Sequence, residues 1–395
     1  MNYGIVTEFN PFHNGHKYLV DSLKSDGVST VTAVMSGNFV QRGEPAVINV
    51  NLRAEAALNS GVDLVLSLPL PYSVLTAEKF AFSGVNILDS LNCLDSIAFG
   101  SESNNKEKIS DCAEKLLSKD FNNRVSELVR EGVSFPVARE QAVDELYGEE
   151  LSQILMCSND ILGVEYVKAL INLKSDLDFK TIKRTGAQHD SGLGTGNIRS
   201  ASMIRSLLND VKAAEQFMPE ESFKILRQAD NNKKIYNKQK FELTLLYKLR
   251  TMTVEDFRNL PDVTEGLEYR IFDAVKISGS YTELLENIKT KRYTLSRIRR
   301  ILLCAYLGIT KEITDIPVPY IRVLAFNENG AHLLKKAKEN ATLPIITRSA
   351  DLKNLDANGE RIFELECRAR DLYSLCLSEP DICGKEMTDK IIIKK

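Results

Sequence analysis

Apolar residues follow two rhythms along this chain, and the places where one gives way to the other mark its organisation. An apolar run from Tyr3 reads as a strand that stops at Asn10-Pro11, because proline fixes φ and has no N–H for a ladder. From Lys17-Tyr18-Leu19-Val20 the period lengthens from about 2 to about 3.6, the repeat of a helix. Residues 29–35 are β-branched and apolar and predict a second strand, followed by a helix over 52–60 that Gly61 closes. Residues 63–69 predict a third strand, whose unbroken hydrophobicity suits burial on both faces of a parallel sheet. A helix over 77–91 leads to a fourth strand at 96–99. Residues 104–157 read as charged helices, Ser158-Asn159-Asp160 as the N-cap of a helix over 161–173, and residues 179–184 as a fifth strand. Strands alternating with helices in this way predict an α/β domain with a doubly wound parallel sheet.

From about residue 213 the strand signals fade and Lys/Arg-rich helical segments dominate to about residue 308. The expected division is therefore an α/β domain over 1–210 and a mainly helical region over 211–395. Two strands, 321–326 and 343–347, are expected among the helices of the last stretch.

At 395 residues, 43% hydrophobic and 27% charged, the composition is that of an ordinary globular protein. A net charge of −3 means that any polyanion is met by a local patch. The seven cysteines are scattered with no C-x-x-C, which excludes a zinc ribbon and suits a reducing cytoplasm. The start reads as a strand, so no secretory leader is expected, and no apolar run approaches the ~20 residues of a membrane span; a cytoplasmic protein without membrane contact is expected.

Chemistry concentrates where the predicted strands end. Beyond the first lies His13-Asn14-Gly15-His16, at the start of a helix. One reading is a turn with two packed or solvated imidazoles. The other places phosphate on the helix N-terminus, with the imidazoles stabilising charge on a leaving pyrophosphate. No third His or Cys stands nearby at ligand spacing, so no protein-held metal is expected. Residues 36–45 form a glycine-bearing loop with Arg42, whose guanidinium can fork onto phosphate. Residues 185–197 carry four glycines and predict a mobile loop able to close over a triphosphate, ahead of the serine-capped segment 200–205. Farther on, residues 289–300 pack basic side chains around Tyr293, a patch suited to a phosphate backbone or to a solvated helix face.

Taken together, residues 4–16, 35–46, 99–102, 158–166, 182–184, 200–205 and 265–270, with the basic run, resemble the bacterial tRNA(Met) cytidine acetate ligases, within the nucleotidyltransferase superfamily that carries H-x-G-H. The resemblance covers the chain to about residue 308. It implies a Rossmann-like, HIGH-type nucleotidyltransferase domain and a two-step ligation. Acetate and ATP form acetyl-adenylate and pyrophosphate; the wobble cytidine of elongator tRNA(Met) then takes the acetyl group, giving N4-acetylcytidine and AMP. ATP, with Mg²⁺, is the implied cofactor, tRNA the partner, and no obligate protein partner is implied. The ATP segment falls on Thr7, Glu8, Phe9, Asn10, Pro11, Phe12, His13, Asn14, Gly15, His16, Lys17, Tyr18, Leu19 and Val20, with Gly100, Asn159 and Arg184 as further contacts. Ser202 and Arg205 match the superfamily's phosphate-binding loop, and His13, His16 and Arg184 are the expected catalytic groups. Lys289, Lys291, Arg292, Arg297, Arg299 and Arg300 are the expected tRNA contacts. Where the family has an Asp-Lys pair this chain has Asn49-Val50, with Arg53 kept, which predicts one cation fewer near the site. The alternatives are a small-molecule nucleotidyltransferase acting on a phosphorylated metabolite, and an RNA-binding protein without catalysis.

Overall fold

The computed structural model describes residues 1–184, 196–264 and 266–394. Its strands are β1 (Asn2–Thr7), β2 (Thr30–Ser36), β3 (Phe39–Val40), β4 (Glu44–Pro45), β5 (Leu64–Leu68), β6 (Ser96–Ser101), β7 (Asp178–Lys183), β8 (Ile321–Phe326), β9 (Ile345–Ile346) and β10 (Ile392–Ile393). Five of them run parallel in the order β5-β2-β1-β6-β7. Counted along the chain that is 3-2-1-4-5, the doubly wound arrangement, and the strand order reverses between β1 and β6, where such sheets bind ligands. Every residue of β5 is buried, as its unbroken hydrophobicity predicts.

The sheet does not stop at residue 210. β8 pairs antiparallel with β5, from Leu64 opposite Phe326 to Ser67 opposite Arg322, and β9 and β10 pair with the far side of β8. The sequence predicts strands at 321–326 and 343–347, but not that they join this sheet. Docking over so long a separation leaves no local signal. The open edge of β5 and the buried Ile321, Val323 and Ala325 of β8 are what satisfy one another.

Helices cover both faces. On one, Asn14–Ser25, Val50–Asn59 and Glu220–Asn231 share a core with Ile5 and Ala33 through Val20, Leu23, Ala57 and Leu226. On the other, Ala77–Asp89, Lys106–Leu116, Ser158–Leu173 and Glu328–Asn340 share a core with Ile97 and Phe99. A Cβ on Gly84 would lie 2.6 Å from Val6 Cγ1, so the glycine is what lets Ala77–Asp89 rest directly on β1. A third core joins the helices between Lys238 and Leu307 to the helix Ala357–Leu375. Among the described residues no helix is long and apolar enough to cross a membrane.

Candidate active site

The first helix begins at Asn14, earlier than the apolar period predicts, because its cap is a pair of histidines. His13 is the N-cap, and its Nδ1 accepts a hydrogen bond from the Gly15 N–H at 3.0 Å. The His16 Nδ1 reaches back to accept from the His13 N–H at 3.3 Å. The two groups thus form a capping box, a role usually filled by Ser or Thr with Glu or Gln. The imidazoles stack with centroids 3.8 Å apart and a tilt of 28°, and Phe9 and Phe12 pack against His16. With both Nδ1 atoms accepting, each ring carries its proton on Nε2, leaving a donor free for a ligand. Burial, then the nearby Arg184 and Arg205, lowers the His13 pKa to about 3; burial, then His13 and Arg184, holds His16 well below the usual range. Both rings are therefore neutral donors in the free protein. A Cβ on Gly15 would meet His13 Cε1 at 2.9 Å, so no side chain fits between the cap and its first turn. Upstream, Phe9 has φ 46°, a left-handed conformation that costs a bulky residue energy and is common where a site imposes it.

A cavity of about 500 Å³ opens over the carboxyl edge of β1, β6 and β7. Of the residues expected at ATP, it is lined by Thr7, Glu8, Phe9, Asn10, His13, Gly15, His16, Tyr18, Leu19, Gly100, Asn159, Arg184 and Arg205. The remaining ones support it from outside. Pro11, in a cis peptide bond with Asn10, and Phe12 are buried; Val20 is in the core; Lys17 pairs with Asp21 on the helix surface. Asn14 donates to the carbonyls of Asn197 and Gln216 at 2.9 and 3.1 Å. Ser202 accepts from Arg42 at 3.0 Å and from Arg205 at 3.4 Å. Arg205 also donates to the Asn10 carbonyl and pairs with Glu44, both at 3.0 Å. The segment after Ser200 is thereby fastened to the loop at 36–45. Of the expected closing loop, residues 185–197, positions 185–195 lie outside the described residues.

The cap of the helix Ser158–Leu173 differs from expectation. Its N-cap is Cys157, without a side-chain hydrogen bond, and Ser158-Asn159-Asp160 form the first turn. Glu102 takes the capping role from outside, accepting from the Asn159 and Asp160 N–H groups at 3.2 Å each. Asp160 is thereby free to accept from Ser101 and from the Ser103 N–H. Glu102, Cys157 and Asp160 bring potential metal-ligand atoms within 4.8 Å of one another, but both carboxylates are engaged in these contacts. Arg184 donates to Asn159 Oδ1 at 3.3 Å and lies 3.9 Å from Glu102, joining the ends of β6 and β7 to this helix.

Arg53 is wholly buried and donates to the carbonyls of Ile48, Glu8, Ser36 and Gly37, so one guanidinium ties together the ends of β1 and β2. Val50, the position at which the resemblance predicts a missing cation, does not line the large cavity. It is buried beside Asn38, Glu366, Arg370 and Glu386 in a separate small cavity. Arg370 lines the same small cavity and donates to Asn38 Oδ1 at 3.2 Å.

The basic run is less free than its composition suggests. Tyr293 is buried, and Arg297 stacks over it while donating to the Asp262 carbonyl at 2.7 Å. Arg300 is largely buried, 3.9 Å from Asp262, and burial lowers its pKa. Lys289, Lys291 and Arg292 are exposed. Arg299 faces the large cavity, beside Ser296. Gly43 makes this possible: it has φ +82°, and a Cβ there would lie 2.7 Å from the Arg299 carbonyl carbon, so the helix Leu295–Leu307 touches the loop directly. The sequence reading also missed the cavity wall formed by Ala77, Phe80, Leu162 and Tyr166. The one available signal was the position of Ala77 and Phe80 in the first turn of a helix after a strand end.

Comparison with known proteins fits this geometry. The family model for HIGH nucleotidyl transferases matches residues 1–387. The tRNA(Met) cytidine acetate ligase of Caldanaerobacter subterraneus subsp. tengcongensis is 43% identical over 382 residues, 94% of each chain. That of Acetivibrio thermocellus is 38% identical over 410 residues, 99% of each. The crystal structure of Thermotoga maritima TmcAL bound with alpha-thio ATP superposes with a TM-score of 0.92 at 34% identity, covering 99% of each chain. The chain belongs to the HIGH nucleotidyl transferases and, among them, to the tRNA(Met) cytidine acetate ligases.

Proposed function

We propose that this chain couples acetate to the wobble cytidine of elongator tRNA(Met) at the expense of ATP, with acetyl-adenylate as intermediate. The observation that carries the reading is the pair of neutral imidazoles, His13 buried and His16 partly so, whose Nδ1 atoms are engaged and whose Nε2–H groups are left to donate at the cap of the first helix, at the switch point of the sheet. ATP lies across the carboxyl edge with its phosphates on that helix N-terminus. Arg205, with Ser202 behind it, approaches the phosphates from the segment after residue 200. Asn159 and Gly100 meet the nucleoside, and Arg184 spans from Asn159 to the phosphates. An acetate oxygen bonds to the α-phosphorus while the bond to the pyrophosphate oxygen breaks. The two imidazoles donate to oxygens on which negative charge grows, which favours the transition state over the ground state. Because the rings start neutral, nothing repels them from Arg184 and Arg205 before ATP arrives.

Among the described residues Glu8 is the one carboxylate of the lining, and it accepts from the Gln41 N–H at 2.8 Å. This donor set fits Mg²⁺ that is carried by the triphosphate and water, where it neutralises phosphate charge. In the second step the cytidine N4 attacks the acetyl carbon, its bond to the AMP oxygen breaks, and the amine loses a proton. We assign the nucleotide chemistry to residues 1–210 and tRNA binding to the helical part of 211–395. Arg299 then marks the side of the cavity that faces the tRNA, with Lys289, Lys291 and Arg292 farther out; Arg297 and Arg300 hold that helix in place. Such a reaction belongs in the cytoplasm. Mass spectrometry of tRNA(Met) incubated with the protein, ATP and acetate tests the reading: an acetylated cytidine and stoichiometric AMP are expected. Exchange of pyrophosphate into ATP that needs a phosphoester and ignores acetate would instead identify a small-molecule nucleotidyltransferase.

A further inference from the structure

The carboxyl edge of the sheet divides the cavity into two sides. By alternation along β1 and β6, Ile5, Ala98 and Gly100 face the helix Asn14–Ser25, and Ile5 and Ala98 share its core. Val6 and Phe99 face the helices Ala77–Asp89 and Ser158–Leu173. The histidine cap and Gly100 belong to the first side. The second side is lined by Val6, Ala77, Phe80, Phe99, Leu162 and Tyr166. Its hydroxyl, Tyr166 Oη, already donates to the Val6 carbonyl at 3.4 Å, so these six side chains present an apolar wall, with the Glu8 carboxylate near Tyr166 as the polar group on this side. Thr7 and Asn10, which follow β1 between the two sides, line the cavity, and Thr7 Oγ1 and Asn10 Nδ2 are buried without a hydrogen-bond partner. Asn10 is 2% exposed, and its other amide atom is held by the Val47 N–H. An unpaired buried donor is costly, so two between the sides point to an acceptor that is meant to arrive.

We propose that the apolar side is the subsite for the carboxylic acid co-substrate. Its methyl group packs against Phe80, Leu162 and Tyr166, and its carboxylate sits between the sides, receiving Thr7 Oγ1 and Asn10 Nδ2. From there one carboxylate oxygen faces an α-phosphorus held at the histidine cap; it forms the new P–O bond as the bond to pyrophosphate breaks, and no proton moves. This assignment rests on the ligase reading above. It makes Ala77 and Leu162 the residues that set acid length, because one methylene in an apolar pocket is worth about tenfold to two-hundredfold in selectivity.

The test is pyrophosphate exchange into ATP with acetate, propionate or butyrate, using the full chain and no tRNA. The wild type is expected to prefer acetate. Leu162→Ala should lower the acetate-to-propionate ratio of kcat/KM at least about tenfold. Ala77→Leu should raise the KM for acetate about tenfold or more, with the KM for ATP within about twofold in both variants. Selectivity unchanged in both variants, or a change confined to the KM for ATP, overturns the proposal. So does exchange left intact with only transfer to tRNA lost, since that would place the cytosine in the pocket. Should Ala77→Leu fail to fold, as judged by ATP binding, Leu162→Ala decides alone. Wild-type exchange that ignores every carboxylate refutes the ligase reading itself, and is told apart because it needs no variant.

Discussion

Replacing His13 by asparagine separates the two tasks of this residue. As N-cap it accepts from the Gly15 N–H at 3.0 Å, and asparagine is among the best residues for that purpose. As a proposed catalytic group it offers Nε2–H, which asparagine cannot place at the same reach. His13→Ala removes both, at about 1 kcal/mol for the cap and a comparable loss from the stacking on His16. Over a chain of this size that lowers Tm by a few degrees at most. His13→Asn should recover roughly half of that loss or more, and still lose activity like alanine. One preorganised donor to the developing charge is worth about 3–4 kcal/mol, or a factor of about 10² to 10³ in rate. Acetate-dependent pyrophosphate exchange, run beside thermal melting, measures both. If His13→Asn kept exchange within about threefold of wild type, the imidazole would be a structural cap only. If it melted below His13→Ala, the hydrogen-bond reading of the cap would be wrong.

Changing Arg53 to methionine strands four buried carbonyls at the ends of β1 and β2; at about 1–3 kcal/mol each, the loss should exceed about 4 kcal/mol in urea unfolding, and a loss under about 1 kcal/mol would refute the role. Stability should also depend on pH through His13, whose pKa is about 3 when folded and near 6.5 when unfolded. The unfolded chain binds the proton that the folded chain refuses, so this group's effect is absent above pH 6.5 and destabilises progressively below it, by about 2 kcal/mol at pH 5. Denaturant titrations at pH 5 and 7.5 should show that increment shrinking in His13→Asn; an unchanged increment would contradict it. Lys289→Glu combined with Lys291→Glu should weaken tRNA binding about tenfold at low salt and flatten its salt dependence, with pyrophosphate exchange unaltered. Equal affinity in a filter-binding assay would exclude the basic run as a tRNA contact.

The sequence foretells the strands of the α/β part well because each is a short apolar run punctuated by Gly, Pro or polar residues. It misplaces the start of the first helix, since capping rules look for Ser, Thr, Asp or Asn and His13 does the work instead. The Ser158 cap fails for a related reason: Glu102, distant in sequence, supplies the acceptor. Basic composition around Tyr293 overstates the free charge, because Asp262 lies outside the run and engages two of its arginines. Position 50 is a further case, since the resemblance places it near the site whereas its side chain lines a separate small cavity. Residue identity marks where chemistry collects, whereas which side chain faces the cavity depends on contacts between segments far apart in the chain.

The antiparallel seam between β5 and β8 has a consequence for how the chain is made. During synthesis β5 leaves the ribosome roughly 260 residues ahead of its partner, with an all-buried strand whose outer edge is unpaired. Until the last segments emerge, that edge is a template for pairing with other chains, and contacts this distant in sequence form slowly. A chain lacking β8 is therefore expected to expose the edge of β5 and to aggregate more readily than the full chain, which light scattering would measure. The last strands therefore cover an edge that the preceding part of the chain leaves open.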